Sequence, residues 1–264
     1  MFELAAYFER IGIADVKAPV TAEQLAQIHR AHVVAIPFEG LDPYCGVPVS
    51  LDPNAVAAKL LRARRGGYCF EHNVLLRAAL RELGVTAEPL LGRVRYGRPA
   101  DFMPSLTHML LRVAHDGRWW HMDVGFGPGT LLEPVPLGAG GPYDQSGWRF
   151  QVIAEGPLLV LQGERDGAWK DLYAFSPDPV ADIDVELGNW YACTHPDSRF
   201  VKTLVVSSHD KQGHMSTLTC SAGNLRLTAE TPGGSHAEDA DPASLELLLA
   251  GRFGLTAPGL AFPG

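Results

Sequence analysis

Apolar residues recur at helical spacing through the first third of the chain and at strand spacing through most of the remainder. Phe2, Ala5, Ala6, Phe8 and Ile11 fall near one face of a helix over 2–11. Thr21 and Gln24 form a capping-box pattern ahead of Leu25, Ile28 and His29. Asp52-Pro53 reads as an N-cap with proline at the first helical position, leading into Val56, Leu60 and Leu61. A further helix starts at Cys69, carries Phe70, Val74, Arg77 and Ala78 beside Leu76, Leu80 and Leu83, and stops at Gly84.

Beyond Gly84 the pattern is that of strands. Residues 86–96 mix apolar and polar positions, and 106–126 form two runs around Asp116-Gly117, a strong hairpin signal. Strands follow at 149–154, 158–161 and 169–175, then a short helix at 185–191. The tail predicts strands at 201–207, 216–220 and 224–229, a loop at 231–239, and a helix from Asp241-Pro242 to about Phe253. The fold class is therefore α+β: helices, then an antiparallel barrel or sheet, then a small mixed α/β segment.

The hairpin has a consequence for chemistry. A two-residue turn at Asp116-Gly117 makes opposed residues sum to 233, so Leu110 faces Asp123 and His108 faces Gly125. His108 and Asp123 then share a face as diagonal neighbours, roughly 7–8 Å apart at the backbone. His121 lies on the same face and is a second candidate partner for Asp123. The other face carries Met109, Leu111, Val113, Trp120, Met122 and Val124, all apolar, and is expected to be the barrel core.

A net charge of −8 with no basic block argues against a nucleic-acid partner. The N-terminus has no basic n-region of a signal peptide, and no apolar run is long enough for a membrane span. Cys45, Cys69, Cys193 and Cys220 are scattered with no CxxC, which suggests reduced thiols in a cytoplasm rather than a disulfide frame or a metal site.

Cys69 differs from the other three. Gly66 and Gly67 precede it, and it opens a helix. Glycines allow a sharp turn and close approach to a ligand, and the helix dipole favours thiolate over thiol at that end. A reactive cysteine with a His and an Asp on one sheet face is the nucleophile, base and orienter set of covalent catalysis.

These residues sit in a series of motifs: Ile36-Pro37-Phe38-Glu39, Arg65-Gly66-Gly67-Tyr68-Cys69-Phe70-Glu71-His72-Asn73, Thr107-His108-Met109-Leu110-Leu111, Asp123-Val124-Gly125-Phe126-Gly127 and Thr194-His195-Pro196-Asp197-Ser198. Together they resemble the arylamine N-acetyltransferases, over nearly the whole chain. The resemblance implies a helical domain over 1–85, a β-barrel domain over 86–195 and an α/β lid over 196–264. It implies a cysteine-protease-like triad of Cys69, His108 and Asp123, selecting His108 over His121. It also implies acetyl-CoA as co-substrate, no permanently bound cofactor or metal, and small aromatic amines or hydrazines as acceptors. Phe38, Phe70 and Phe126 are the expected pocket residues. In the Gly125–Thr130 loop, amides at Gly127 and Gly129, with Thr130, are expected to face CoA phosphates. Arg65 is expected to pair with Glu39. Gly40 departs from the family pattern, which has Asn there, so acceptor preference is the least determined feature. Three alternatives share parts of this constellation: an amide synthase closing a macrolactam from a carrier-bound acyl chain, a papain- or transglutaminase-like hydrolase, and an inactive CoA-binding module.

Overall fold

A computed structural model of the chain describes residues 2–99, 102–256 and 262. Met1 and the end of the 196–264 segment (257–261, 263 and 264) lie outside the described residues. The N-terminal third contains α1 (Leu4–Ile11), α2 (Ala22–Ala35), the short β1 (Phe38–Glu39), α3 (Leu41–Tyr44), α4 (Pro53–Ala57) running into a π-helical turn (Ala58–Arg62), and α5 (Cys69–Glu82). Local chemistry sets their ends. Thr21 Oγ1 accepts from Gln24 N while Gln24 Oε1 accepts from Thr21 N. Asp52 Oδ1 accepts from the amides of Asn54 and Ala55, with Pro53 at the first position of α4. Gly84, at φ +72°, takes the left-handed turn beyond α5.

Eight antiparallel strands follow: β2 (Ala87–Val94), β3 (Leu106–His115), β4 (Arg118–Met122), β5 (Val135–Pro136), β6 (Gly140–Gln145), β7 (Trp148–Glu155), β8 (Leu158–Arg165) and β9 (Ala168–Phe175). Their order is β5-β4-β3-β2-β9-β8-β7-β6, and the sheet curls into a nearly closed barrel. Next come α6 (Asp182–Thr194) and α7 (Arg199–Lys202), then β10 (Thr203–His209), β11 (Met215–Ser221), β12 (Asn224–Thr231) and β13 (Gly234–Ala240). A 3₁₀ turn (Pro242–Ser244) leads into α8 (Leu245–Phe253). β10–β13 form a second sheet, and β1, from the helical third, is its edge.

The β3–β4 hairpin has the expected register, with His115 opposite Arg118 and Leu111 opposite Met122. Asp116 and Gly117 both have positive φ, as a primed turn requires. The ladder stops at Met122, so His108 pairs across to Gly92 on β2 rather than to Gly125.

The expected core face is corrected. The apolar face of β3 looks outward onto helices: Met109 faces a groove lined by Val74 and Ala78 of α5 and Val185 of α6. The face carrying His108, His121 and Asp123 turns into the barrel, where the His121 ring lies 4.9 Å from Phe175 and 5.8 Å from Tyr173 of β9. All three are buried. A sheet covered by helices has no solvated face, so alternation does not reveal which side points inward. Residues 231–239, expected as a loop, hold all of β13 but its last residue. It is an edge strand of mostly exposed polar residues, so it lacks an apolar stripe. β6, with two glycines and a proline, was equally hidden from a propensity reading.

Burial lowers His29, His72, His121 and His209 to about 4, and holds His32 well below its ordinary value. In the unfolded chain each titrates near about 6.5. Between those values the unfolded state binds more protons, so stability falls as pH falls. Glu71, raised by burial to about 7 against the charge of Lys59, acts oppositely in this window. Five histidines against one glutamate leave a net uptake of about four protons on unfolding. The urea midpoint is expected to drop steeply from pH 6.5 to 4. A flat midpoint across that range would contradict the neutral, buried state of these rings.

Candidate active site

Gly66 and Gly67 do not open space for a ligand. A Cβ on Gly66 would overlap the Pro37 carbonyl oxygen, and one on Gly67 would lie 2.8 Å from Glu71 Cβ. The close approach is to the protein's own segment 37–39: Glu39 N donates to Gly67 O at 2.7 Å, and Phe38 bridges to Gly67. Charged groups surround this junction. Arg65 bonds Glu39 Oε1 at 2.9 Å and Asp42 at 2.8 Å, and Lys59 bonds Asp42 at 2.6 Å and Glu71 at 2.7 Å. Glu71 Oε2 also accepts from Tyr68 N at 3.1 Å, ahead of α5.

A buried relay crosses the same junction. His72 Nε2 must donate to the Pro37 carbonyl at 3.2 Å, so its Nδ1 accepts from His32 Nε2 at 2.9 Å. His32 Nδ1 then accepts from Tyr7 Oη at 2.9 Å. Each donor direction follows from the carbonyl at the end.

Cys69 is the first residue of α5 and is 3% exposed. Its sulfur lies 3.7 Å from the Thr107 carbonyl, and its proximity favours the protonated form of His108. His108 Nε2 donates to Asp123 Oδ2 at 2.7 Å, which leaves Nδ1 for the sulfur. The other sequence candidate, His121, reaches Asp123 only through a third side chain. His121 Nε2 donates to Tyr173 Oη at 2.8 Å, and Tyr173 donates to Asp123 Oδ2 at 2.7 Å. Asp123 Oδ1 accepts from Gly125 N at 2.9 Å and from Asn73 Nδ2 at 3.3 Å.

Burial disfavours the charged form of His108, but the charge and bond of Asp123, with the nearby Cys69 sulfur, outweigh it and push His108 up to about 10. Burial likewise opposes ionisation of Asp123. The His108 charge and bond, the Gly125 amide and the Tyr173 hydroxyl hold it well below the usual carboxylate range. The pair is therefore charged at neutral pH.

A cavity of about 210 Å³ opens over this pair, lined by Phe38, Cys69, Phe102, His108, Phe126 and Phe200. Phe126 meets the His108 ring edge-on at 5.2 Å. Phe70 is corrected: it is absent from the lining and wholly buried, packed on Tyr68 at 5.5 Å. One helical position past Cys69, its side chain is rotated into the core.

The Gly125–Thr130 loop also differs from expectation. Gly127 and Gly129 are buried. Gly127 lies under the Phe38 ring, where a Cβ would come within 3.0 Å, and the Gly129 amide points to Met215 Sδ at 3.2 Å. Thr130 Oγ1 is committed to the Asp123 carbonyl at 3.0 Å. The loop thus braces Asp123 and Phe38, and its cavity-lining members are Gly125, Phe126 and Pro128. A Cβ on Gly125 would sit 2.8 Å from Cys69 Cα, so glycine is needed there for close approach.

Sequence reasoning missed Asn73, Tyr173, Phe102 and Phe200. Asn73 was findable, being four residues past Cys69 on the same helical face. Among the described residues, no group of three His, Cys, Asp or Glu is placed to hold a metal, and no helix is long and apolar enough to cross a membrane.

The family model described as N-acetyltransferase matches residues 21–259. The arylamine N-acetyltransferase of Mycolicibacterium smegmatis is 42% identical over 210 residues, covering 78% of this chain and 76% of that one. The Salmonella typhimurium arylamine N-acetyltransferase / N-hydroxyarylamine O-acetyltransferase is 38% identical, covering 96% and 88%. The Mycobacterium marinum arylamine N-acetyltransferase, solved in complex with CoA, superimposes with a TM-score of 0.87 at 35% identity, covering 96% and 92%. With a buried Cys69–His108–Asp123 cluster under an aromatic cavity, and with relatives matching almost end to end, the chain belongs to the arylamine N-acetyltransferase family.

Proposed function

We propose that this protein transfers an acetyl group from acetyl-CoA to the nitrogen of arylamines and arylhydrazines, through an acetyl-Cys69 intermediate. The observation that carries the reading is the bonded His108–Asp123 pair with Cys69 and His108 together lining an aromatic cavity. Residues 1–85 supply the nucleophile, 86–195 the base and its carboxylate, and 196–264 a cover that places Phe200 over the cavity. The cysteines, all free, and the acetyl-CoA donor suit a reducing cytoplasm.

The attacking form in this reading is the Cys69 thiolate beside the His108 imidazolium. The Cys69 thiolate attacks the thioester carbonyl, and the tetrahedral adduct collapses by breaking the bond to the CoA sulfur. The CoA thiolate takes the Nδ1 proton of His108 and leaves as the thiol. An amine then attacks the acetyl carbon of acetyl-Cys69 with its lone pair. His108, now neutral, takes the amine proton, and the Cys69 thiolate is expelled, restoring the starting pair. Asp123 holds the ring and its charge throughout. The apolar cavity keeps water from the thioester intermediate, and Phe38 and Phe126 offer faces to a flat ring.

Mixing the protein with acetyl-CoA should add one acetyl group, located on Cys69 by intact and peptide mass spectrometry. Cys69→Ala should gain none, whereas Cys45→Ala, Cys193→Ala and Cys220→Ala should still be labelled. Labelling of a different cysteine would refute the assignment. Asp123→Asn should lower turnover by on the order of 10³-fold. Imidazole NMR should show His108 titrating below the wild-type value of about 10, because the charge favouring its protonated form is gone. His121→Gln, one bond further out, should be milder. An unmoved His108 titration in Asp123→Asn would remove Asp123 from this role.

Acceptor choice has its own expectation. At neutral pH an alkyl amine is an ammonium without a lone pair, whereas an aniline or arylhydrazine is neutral. Anilines and hydrazines should therefore release CoA far faster than alkyl amines. Release that needs no acceptor would indicate a thioester hydrolase instead.

A further inference from the structure

Helix α6 is apolar on two opposite faces. Val185, Gly188, Ala192 and Cys193 are buried on its inner side, which packs on β3 and α3. Ile183, Leu187 and Trp190, at i, i+4 and i+7, stand on its outer side and are 59%, 59% and 57% exposed. That spacing is the one by which a helix buries a stripe, and a helix apolar all round is ordinarily covered all round. Single exposed apolar residues need no explanation, but these three form one continuous row.

The row extends onto the barrel. Gly188 lies so close to the start of β3 that a Cβ there would come within 2.9 Å of the Leu106 carbonyl oxygen. Leu106 is itself exposed, and so is Met103, three residues before it. Together these five residues present roughly 600 Å², as much as the largest apolar patch on a typical monomer. Asp184, Glu186 and Thr194 rim the row and are exposed. With that rim the face approaches the roughly 800 Å² that each partner contributes to a standard interface. Phe262, near the carboxyl end of the chain, packs elsewhere, on the cluster that holds Leu249 and Phe253.

We propose that this face joins two copies of the chain about a twofold axis passing by Leu187. A twofold contact needs a self-complementary surface. Leu187 stands in the middle of the row, so antiparallel α6 helices bring it against its own copy and bring Ile183 against the partner's Trp190. Charge selects the antiparallel sense. Asp182, Asp184 and Glu186 crowd the first half of α6, and parallel helices would set the two acidic ends side by side. Antiparallel helices set each acidic end beside the partner's opposite end, where Arg98 and Arg199 line the cavity with Tyr191. None of the five apolar residues lines the cavity, so the contact leaves the space above Cys69 open.

Sedimentation velocity on the full chain at micromolar concentration should give a particle of twice the 28.5 kDa protomer mass. Leu187→Glu puts two carboxylates on the axis and should weaken association by about thirtyfold or more, as should Leu187→Lys. An equal mixture of these two variants should recover the dimer, because opposite charges then meet. Leu187→Cys should cross-link to its own copy under mild oxidation, read as a dimer band without reductant. Leu247→Cys, on α8 and 75% exposed, is the control and should not. Unchanged circular dichroism shows that each variant is folded. A monomeric wild type would overturn the proposal, whether another protein or the carboxyl-terminal segment covers the face. A dimer that survives Leu187→Glu, with no cross-link in Leu187→Cys, would also overturn it by placing the interface elsewhere. Neither result bears on the acetyl-transfer reading, which Cys69 labelling tests separately.

Discussion

The buried carboxylate of Asp123 is the constraint that orders the rest of the structure. It is fully buried and ionised, a state that persists only when its lone pairs are matched. Four donors match them: His108 and Tyr173 on one oxygen, Gly125 N and Asn73 on the other. They come from β3, β9, the loop after β4, and α5. Breaking a buried ion pair by removing one partner costs about 3–5 kcal/mol, a large share of a domain's net stability. The barrel and α5 are thereby held in one arrangement. Asn73 also donates to the carbonyls of Cys69 and Met109, so the residue that satisfies Asp123 also fixes the turn of helix bearing the sulfur.

A second junction sets the cavity wall. Segment 37–39 passes so close to Gly66 and Gly67 that side chains there would collide with it. The approach is stabilised by the Glu39–Gly67 backbone bond, the Lys59 and Arg65 ion pairs, and the Tyr7–His32–His72 relay ending on Pro37 O. Glycine at positions 66 and 67 serves assembly: it lets the strand carrying Phe38 lie against the turn leading into Cys69. The distance between Phe38 and Cys69 is then set by packing, not by loop flexibility.

What the sequence made legible was local or periodic. Thr21–Gln24, Asp52-Pro53 and Asp116-Gly117 each act over two to four residues, and the hairpin register put His108 and Asp123 on one face before any tertiary contact was known. Less legible was whatever depends on the layer beyond. The barrel's inward face carries histidines, and its outward face is apolar because helices cover it, so the hydrophobic pattern pointed the wrong way. Phe70 and Phe126 look alike as aromatic neighbours of catalytic candidates, yet helix rotation sends one into the core and loop geometry leaves the other at the cavity. Gly127, Gly129 and Thr130 read as a phosphate-binding loop because the same small residues serve close packing. Tyr173, fifty residues from Asp123, had no local signal at all.

The proposed chemistry follows from where the charge rests. Because Asp123 keeps His108 protonated through neutral pH, the imidazole meets the donor as an acid and the acceptor as a base. That order suits a transfer between unlike leaving groups and nucleophiles. The departing CoA thiolate needs a proton, and the incoming amine must lose one. The same proton site serves both, and it is emptied by the first step in readiness for the second. A neutral resting histidine would begin in the wrong state, without a proton for the leaving sulfur. Burial alone would produce that neutral histidine, as it does at His29, His72 and His121. The chief difference at His108 is a carboxylate bonded directly at 2.7 Å, so the four-donor cage around Asp123 that fixes the fold also selects the protonation state on which the proposed transfer depends.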